Sequence, residues 1–366
     1  MDMSELLYKI ALTLVPQVGP VLARTLVSYC GGPREVFAAS RKELLRVPGI
    51  GTQLASNILS QAPLEAAEQE LEFIEAHGIE ALFYLDEGYP RRLRPYADSP
   101  VMLYYKGNAP LNAERVVAIV GTRRPTPHGL RACEELVEGL LPYGVTVVSG
   151  LAYGIDVAAH RKCVELGIPT VGVLGHGLKY IYPPQHYSVA QAMLNQGGVL
   201  SEFPGRTEPE REHFPMRNRI IAGLCDALIV VETARKGGSM ISAEVANTYN
   251  KDVFAVPGRI KDPYSEGCNL LIKSHRAALA ESAADIAYVM RWDELDSAKA
   301  IQQQLFVEMT AAEKKIVDLL QEKGELSIDH LAVACGTANS QLASLLLGLE
   351  FKGVVRTLPG KRYILM

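Results

Sequence analysis

Through the middle of the chain, apolar runs of four to seven residues alternate with stretches whose apolar positions recur at helical spacing. The runs are VVAIV (116–120), VTVVS (145–149), PTVGVL (169–174), GVLSE (198–202), DALIVV (226–231) and DVFAV (252–256). Runs with no polar alternation belong to strands covered on both faces, and each is followed by a helix pattern. They predict an α/β fold over 86–292: a doubly wound, mostly parallel, Rossmann-like sheet. In such folds ligands sit beyond the carboxyl ends of the strands, so the loops after the runs are where chemistry is expected.

The flanks follow other periods. Residues 1–85 read as a helical domain of short elements with two related turns, Val15-Pro16-Gln17-Val18-Gly19 and Val47-Pro48-Gly49-Ile50-Gly51, each with an alanine four residues after the last glycine (Ala23, Ala55). The second copy, VPGIGTQLASNIL, resembles a helix-hairpin-helix, in a SAM-like pair. Glycines there let backbone N–H groups approach a phosphate, or serve helix packing alone, and with only Arg46 as a nearby cation packing is the weightier reading. Residues 293–309 are polar and carry no core pattern, as a linker does. Helical spacing in 310–322, 327–335 and 339–351, then the hairpin GVVRTLPGKRYIL, predicts a winged-helix-like domain over 310–366. Its third helix offers Asn339, Ser340 and Gln341 but no Arg, so guanine reading lacks its commonest side chain and partner docking is expected instead. Lys361 and Arg362 on the wing are candidates for weak phosphate contact.

Composition narrows the field. With 366 residues and 48% hydrophobic content the chain fills real cores. Lys and Arg number 37 against 41 Asp and Glu, a formal net charge of −4. No bulk positive field exists, so any polyanion contact must be local. The six cysteines are widely spaced, without CxxC or an adjacent His, which argues against zinc and against a disulfide framework. The amino terminus carries acidic residues where a signal peptide needs basic ones, and no uncharged apolar run approaches 18 residues. A cytoplasmic, soluble protein without membrane insertion is expected.

Four strand-end loops combine glycine with polar groups: Gly121-Thr122-Arg123-Arg124, Ser149-Gly150-Leu151-Ala152-Tyr153-Gly154-Ile155-Asp156, Gly175-His176-Gly177 and Lys236-Gly237-Gly238-Ser239-Met240. Convergence of all four would make a phosphate-binding rim, although βα turns also need glycine for geometry. No Walker A and no GxGxxG is present, so no nucleotide cofactor is expected. The stretch Arg211-Glu212-His213-Phe214-Pro215-Met216-Arg217-Asn218-Arg219 is the most unusual. Its guanidinium forks suit phosphate and its ring suits a base, with Arg211, Phe214 and Arg217 expected to be exposed and Asn218 and Arg219 to be internal. Asp156 is expected to cap its helix and His160 to be a packing group.

The segments SGLAYGIDVAAH (149–160), VLGHGLKYIYPP (173–184), LSEFPG (200–205), FPMRNRIIAGL (214–224), VVETARKGGSMISAEVA (230–246) and VFAVPG (253–258) with GCNLLI (267–272) closely resemble the DNA-processing protein A family (DprA, also called Smf). The resemblance implies a non-enzymatic homodimer that binds single-stranded DNA, protects it during natural transformation and loads the RecA recombinase, with single-stranded DNA-binding protein a further candidate partner. It implies binding roles for Gly121, Thr122, Arg123, Ser149, Gly150, Tyr153, Arg211, Phe214, Arg217, Asn218, Arg219, Gly237, Gly238 and Ser239. Tyr153 stands where that family commonly has a basic residue, and Gly-Thr-Arg replaces Gly-Ser-Arg. A rival of another class is a nucleoside monophosphate phosphoribohydrolase-like enzyme, because GGSMISAE (237–244) loosely resembles the GGxGTxxE motif; its catalytic carboxylate would be Glu244.

Overall fold

The structure, a computed structural model, describes residues 3–292, 309–352, 354–358 and 361–365. The polar segment 293–308 and the Pro359-Gly360 turn therefore lie outside the described residues. The chain divides into two units, 1–290 and 291–366.

The six apolar runs form β3 (Val116–Gly121), β4 (Thr146–Ser149), β5 (Thr170–Leu174), β6 (Gly198–Ser201), β7 (Ala227–Val231) and β8 (Asp252–Ala255), all parallel to their neighbours among these six. Three further strands join them: β1 (Glu80–Phe83), β2 (Met102–Gly107) and the short β9 (Ala278–Leu279). The sheet order is β1-β2-β6-β5-β4-β3-β7-β8-β9, with β1 antiparallel to β2 and β2 antiparallel to β6. From β3 the chain builds outward through β4, β5 and β6, then returns to place β7 on the other side of β3. The strand order thus reverses between β3 and β7, and a doubly wound sheet opens its ligand crevice at such a point.

Helices of the first unit before the sheet are α1 (Met3–Leu14), α2 (Pro20–Cys30), α3 (Pro33–Ala38), α4 (Arg41–Leu44), α5 (Thr52–Leu59) and α6 (Ala62–His77). They do not enclose a core of their own. Ile10, Leu26, Ile58 and Phe73 bury against Phe83, Met102 and Tyr104 of β1 and β2 in one continuous cluster. Both predicted glycine turns precede helices, α2 and α5, without a side-chain cap. The sheet is covered by α7 (Pro127–Leu140), α8 (Ile155–Leu166), α9 (Tyr187–Met193), α10 (His213–Leu224), α11 (Gly238–Thr248), α12 (Glu266–Lys273) and α13 (Ala283–Val289). The second large core gathers strand residues such as Ala118, Val148, Val173 and Leu228 with Ile220, Ile221 and Leu224 of α10.

In the second unit, helices Ala311–Lys323, Ile328–Cys335 and Asn339–Phe351 pack Ile316, Leu320, Leu331, Leu342, Leu346 and Leu349 with Val355. A three-stranded antiparallel sheet, β10 (Leu326–Ser327), β12 (Arg362–Leu365) and β11 (Val355–Leu358), completes a winged helix. Thr310 and Glu313 form a capping box on the first of these helices, and Lys352 reaches Glu313 at 2.8 Å. Asn339 donates to Asp329 at 3.1 Å and Arg362 pairs with Glu325 at 2.8 Å, so two polar groups of the reading helix and wing are engaged within the domain.

Candidate nucleic-acid interface

A cleft of 460 Å³ opens at the carboxyl ends of β3 and β7, where the strand order reverses. The loop after β3 contributes Gly121, Thr122, Arg123 and Arg124; the loop after β4 contributes Ala152 and Asp156; α10 contributes Arg217 and Asn218. The opposite wall is Thr233, Gly237, Gly238, Ser239 and Ser242, with Tyr264 closing one end. Three of the four glycine loops therefore converge. The fourth, Gly175-His176-Gly177, does not: all three residues are buried, and a side chain on Gly177 would collide with the carbonyl oxygens of Pro204 and Gly205. That loop is packed under the 204–207 segment, which corrects the expectation of a four-loop rim.

Anion affinity comes first from the start of α11. Gly237 caps it with no side-chain bond, leaving the Gly238 and Ser239 N–H groups at its start without intrahelical acceptors, and the Ser239 hydroxyl is buried in the same wall with no protein partner. Opposite stands Arg123, exposed, its guanidinium 5.9 Å from the centre of the Phe214 ring. Phe214 is half-buried and lies 5.8 Å from Tyr182, which is exposed, so a pair of rings adjoins the cation. Phosphate beside guanidinium and base beside ring is the arrangement single-strand binding needs.

Arg217 departs from expectation. It is 3% exposed, and its Nη1 donates to the Val173 carbonyl at 2.7 Å. Burial lowers its pKa to about 10, partly offset by Asp156. Asp156 is itself buried; desolvation pushes its carboxyl up, while Arg217 and the N–H groups of Ala152 and Gly150 hold it down. A Cβ on Gly150 would collide with Arg217 Nη1 and lie 2.6 Å from Asp156 Oδ2, so glycine is required where these two charges meet. Arg217 therefore lines the cleft as a buried charge held on the Val173 carbonyl, not as an exposed finger.

Ser149 is also corrected. Its hydroxyl is fully buried inside the sheet and donates to the Ile119 carbonyl at 2.5 Å, away from the cleft lining. Arg219 pairs with Glu202, points away from the cleft, and is internal as expected; its partner's carboxyl is raised by burial. Asn218 is half-buried but lines the cleft. Arg211 is exposed in the segment before α10 and lies outside the lining. Tyr153, 43% exposed, lines an adjacent groove instead. The residues that sequence reasoning missed are Thr233 and Ser242, which lie within the 230–246 segment but were not singled out, and Tyr264, which lies outside the quoted motifs.

His160 is fully buried. Thr170 spends its hydroxyl proton on the Val147 carbonyl at 3.0 Å, so His160 Nδ1 donates to Thr170 Oγ1 at 2.7 Å, and burial pushes the imidazole down to about 3. It is a neutral packing group. Glu244 faces solvent from the middle of α11 and pairs with Arg276 at 3.2 Å, outside the cleft lining in which the phosphoribohydrolase reading would place it. Among the described residues no group of three or more His, Cys, Asp or Glu is placed to hold a metal ion, and no helix is long and apolar enough to cross a membrane.

Residues 80–291 match the family model for the DNA recombination-mediator protein A, residues 300–361 that for the DprA winged helix domain, and residues 9–62 that for a SAM-like helix-hairpin-helix tandem. Protein Smf of Synechocystis is 33% identical over 98% of this chain and 98% of its own. DNA processing protein DprA of Streptococcus pneumoniae is 42% identical over 55% of this chain and 71% of its own. The X-ray structure of that pneumococcal protein superposes with a TM-score of 0.61 at 33% identity, covering 77% of this chain and 97% of the other. A Helicobacter pylori DNA processing protein A, whose structure was described for its single-stranded DNA binding mode, gives 0.53 at 30% identity over 59% and 96%.

Proposed function

This chain belongs to the DNA recombination-mediator protein A family, and from that premise we propose that it binds single-stranded DNA without sequence preference, as a DNA-processing protein of natural transformation and recombination. Phosphates rest on the α11 amides, Ser239 and Arg123, with Arg211 adding charge at the approach. Bases stack on Phe214 and Tyr182. No step of covalent chemistry is assigned to the cleft, because the carboxylate in its lining, Asp156, is buried beside Arg217 and the N–H groups of its own loop. The observation that carries the reading is the exposed Arg123 beside Phe214, facing the uncapped start of α11 across the point where the strand order reverses.

The protein acts in this reading as a cytoplasmic homodimer, which doubles the track available to one strand and gains affinity through effective concentration. It shields the strand, passes it to RecA, and meets single-stranded DNA-binding protein on the same substrate. The winged helix is assigned to partners rather than to duplex reading. The test is fluorescence anisotropy with labelled oligothymidine. Arg123→Glu with Arg211→Glu is expected to lose at least tenfold in affinity, about 1.4 kcal/mol. Unchanged binding removes the cleft from the function.

A further inference from the structure

A second groove, of 620 Å³, opens on the other side of the loop after β3. It runs past the amino-terminal ends of α7 and α8, and Arg123, Arg124, Arg161, Tyr153, Gln185 and His186 are among its walls. Among the described residues no carboxylate lines it. Gly154, Val157, Ala158 and Arg161 recur at three- and four-residue spacing, so one face of the first two turns of α8 forms a side of the groove. Arg123, Arg124 and Arg161 are exposed, and among the described residues none has an ion-pair partner; the neighbouring Lys162, by contrast, is held by Glu138 and Glu165 at 3.0 Å each. Three free guanidinium groups on one concave surface repel one another and gain from an anion that bridges them.

The aromatic group is already fixed in place. The Tyr153 hydroxyl donates to Gln185 Oε1 at 2.9 Å, and the ring meets His186 edge-on at 5.1 Å; His186 in turn donates from Nδ1 to the Leu151 carbonyl at 2.8 Å. A ring held at both ends and still 43% exposed loses little freedom when a base stacks on it.

Resting on the single-strand reading above, we infer that this groove is a second subsite for the same polynucleotide, with phosphates on Arg124 and Arg161 and a base against Tyr153. The argument for a polynucleotide rather than a separate anion is continuity: Arg123 and Arg124 line both cavities, so a strand leaving the first cleft has two shared cations under it as it enters the second. From Gly154 to Arg161 the helix rises about 10 Å. A single strand laid along that face sets one phosphate by Arg124 and one by Arg161, lengthening the footprint beyond the first cleft.

The experiment measures affinity of the full chain for oligothymidines of about 4 to 16 nucleotides, the range of single-strand site sizes. Arg161 is the probe because it lines only the second groove, and Arg131, exposed on α7 outside both cavities, is the charge-matched control. Arg161→Ala is expected to bind the shortest oligomers as the unaltered protein does and to lose about three- to tenfold on the longest, with the salt slope reduced by about 0.7. Arg131→Ala is expected to change neither. Equal losses at all lengths, no loss at any length, or the same loss in Arg131→Ala overturns the second subsite while leaving the first cleft standing. Polyglutamate displacing a long oligothymidine as well as unlabelled oligothymidine does would assign the groove to an acidic peptide and overturn it too. Failure of the unaltered protein to bind any oligothymidine removes the parent reading instead.

Discussion

Replacing Arg217 by alanine leaves the Asp156 carboxyl, 7% exposed, without the nearest positive charge and the Val173 carbonyl without its donor. Losing a charged hydrogen bond and a charge that favours the ionised carboxylate nearby costs about 1.5–3 kcal/mol. A further signature separates this account from simple loss of packing. The Asp156 carboxyl is already raised above its ordinary value of 3.8 by burial, and Arg217 is the largest influence opposing that shift. Without it the carboxyl rises further. Between the unfolded and the folded value the native state then holds a proton that the unfolded chain has released, so stability falls as pH rises through that window and is recovered as pH falls. Urea unfolding followed by far-ultraviolet circular dichroism at about pH 5 and pH 8 reads both effects, and Asp156→Asn in the Arg217→Ala background should restore part of the loss at pH 8. A loss under about 1 kcal/mol, or one equal at both pH values, refutes the idea that these two charges hold each other in the cleft lining.

Two other expectations concern parts that hold the site or its neighbour. Glu232, at the end of β7, accepts from Thr126 N at 2.8 Å and from Thr126 Oγ1 at 2.5 Å, tying the far end of the loop that carries Arg123 to the sheet. Glu232→Gln is expected to cost about 1.5–3 kcal/mol in chemical unfolding and to weaken oligothymidine binding without touching the strand; unchanged binding would separate the loop anchor from Arg123 placement. Thr310→Ala removes a capping box and is expected to destabilise the winged helix by about 1 kcal/mol, read as earlier unfolding of that unit with the first unit unmoved.

The parallel core was legible because strands buried on both faces write themselves as unbroken apolar runs, and all six runs fall on strands. β1 and β2 were not, since β2 owes its place to a partner far along the chain, Tyr105 pairing with Leu200, and β1 is placed by β2. For the same reason residues 1–85 read as a self-contained helical domain although their apolar side chains share a core with β2. In the site, residue types were readable and their depth was not. Arg123 and Arg217 look alike in sequence; what separates them is depth, since Arg217 is carried on α10 to the Val173 carbonyl, far away in the chain, while Arg123 stays in solvent. Ser149 likewise ends β4 where the glycine loop begins, yet its hydroxyl is satisfied within the sheet by Ile119.

The pairing of β2 with β6 also sets an order of events during synthesis. The helices at the amino terminus leave the ribosome with their apolar faces turned toward a hairpin whose inner edge stays open until residue 201 has emerged, nearly a hundred positions later. Contacts so distant in sequence form late. A nascent chain paused before that point carries a greasy surface and an unfilled sheet edge at once, the combination that draws chaperones or aggregates, so slowed translation through 108–201 is expected to lower the folded yield.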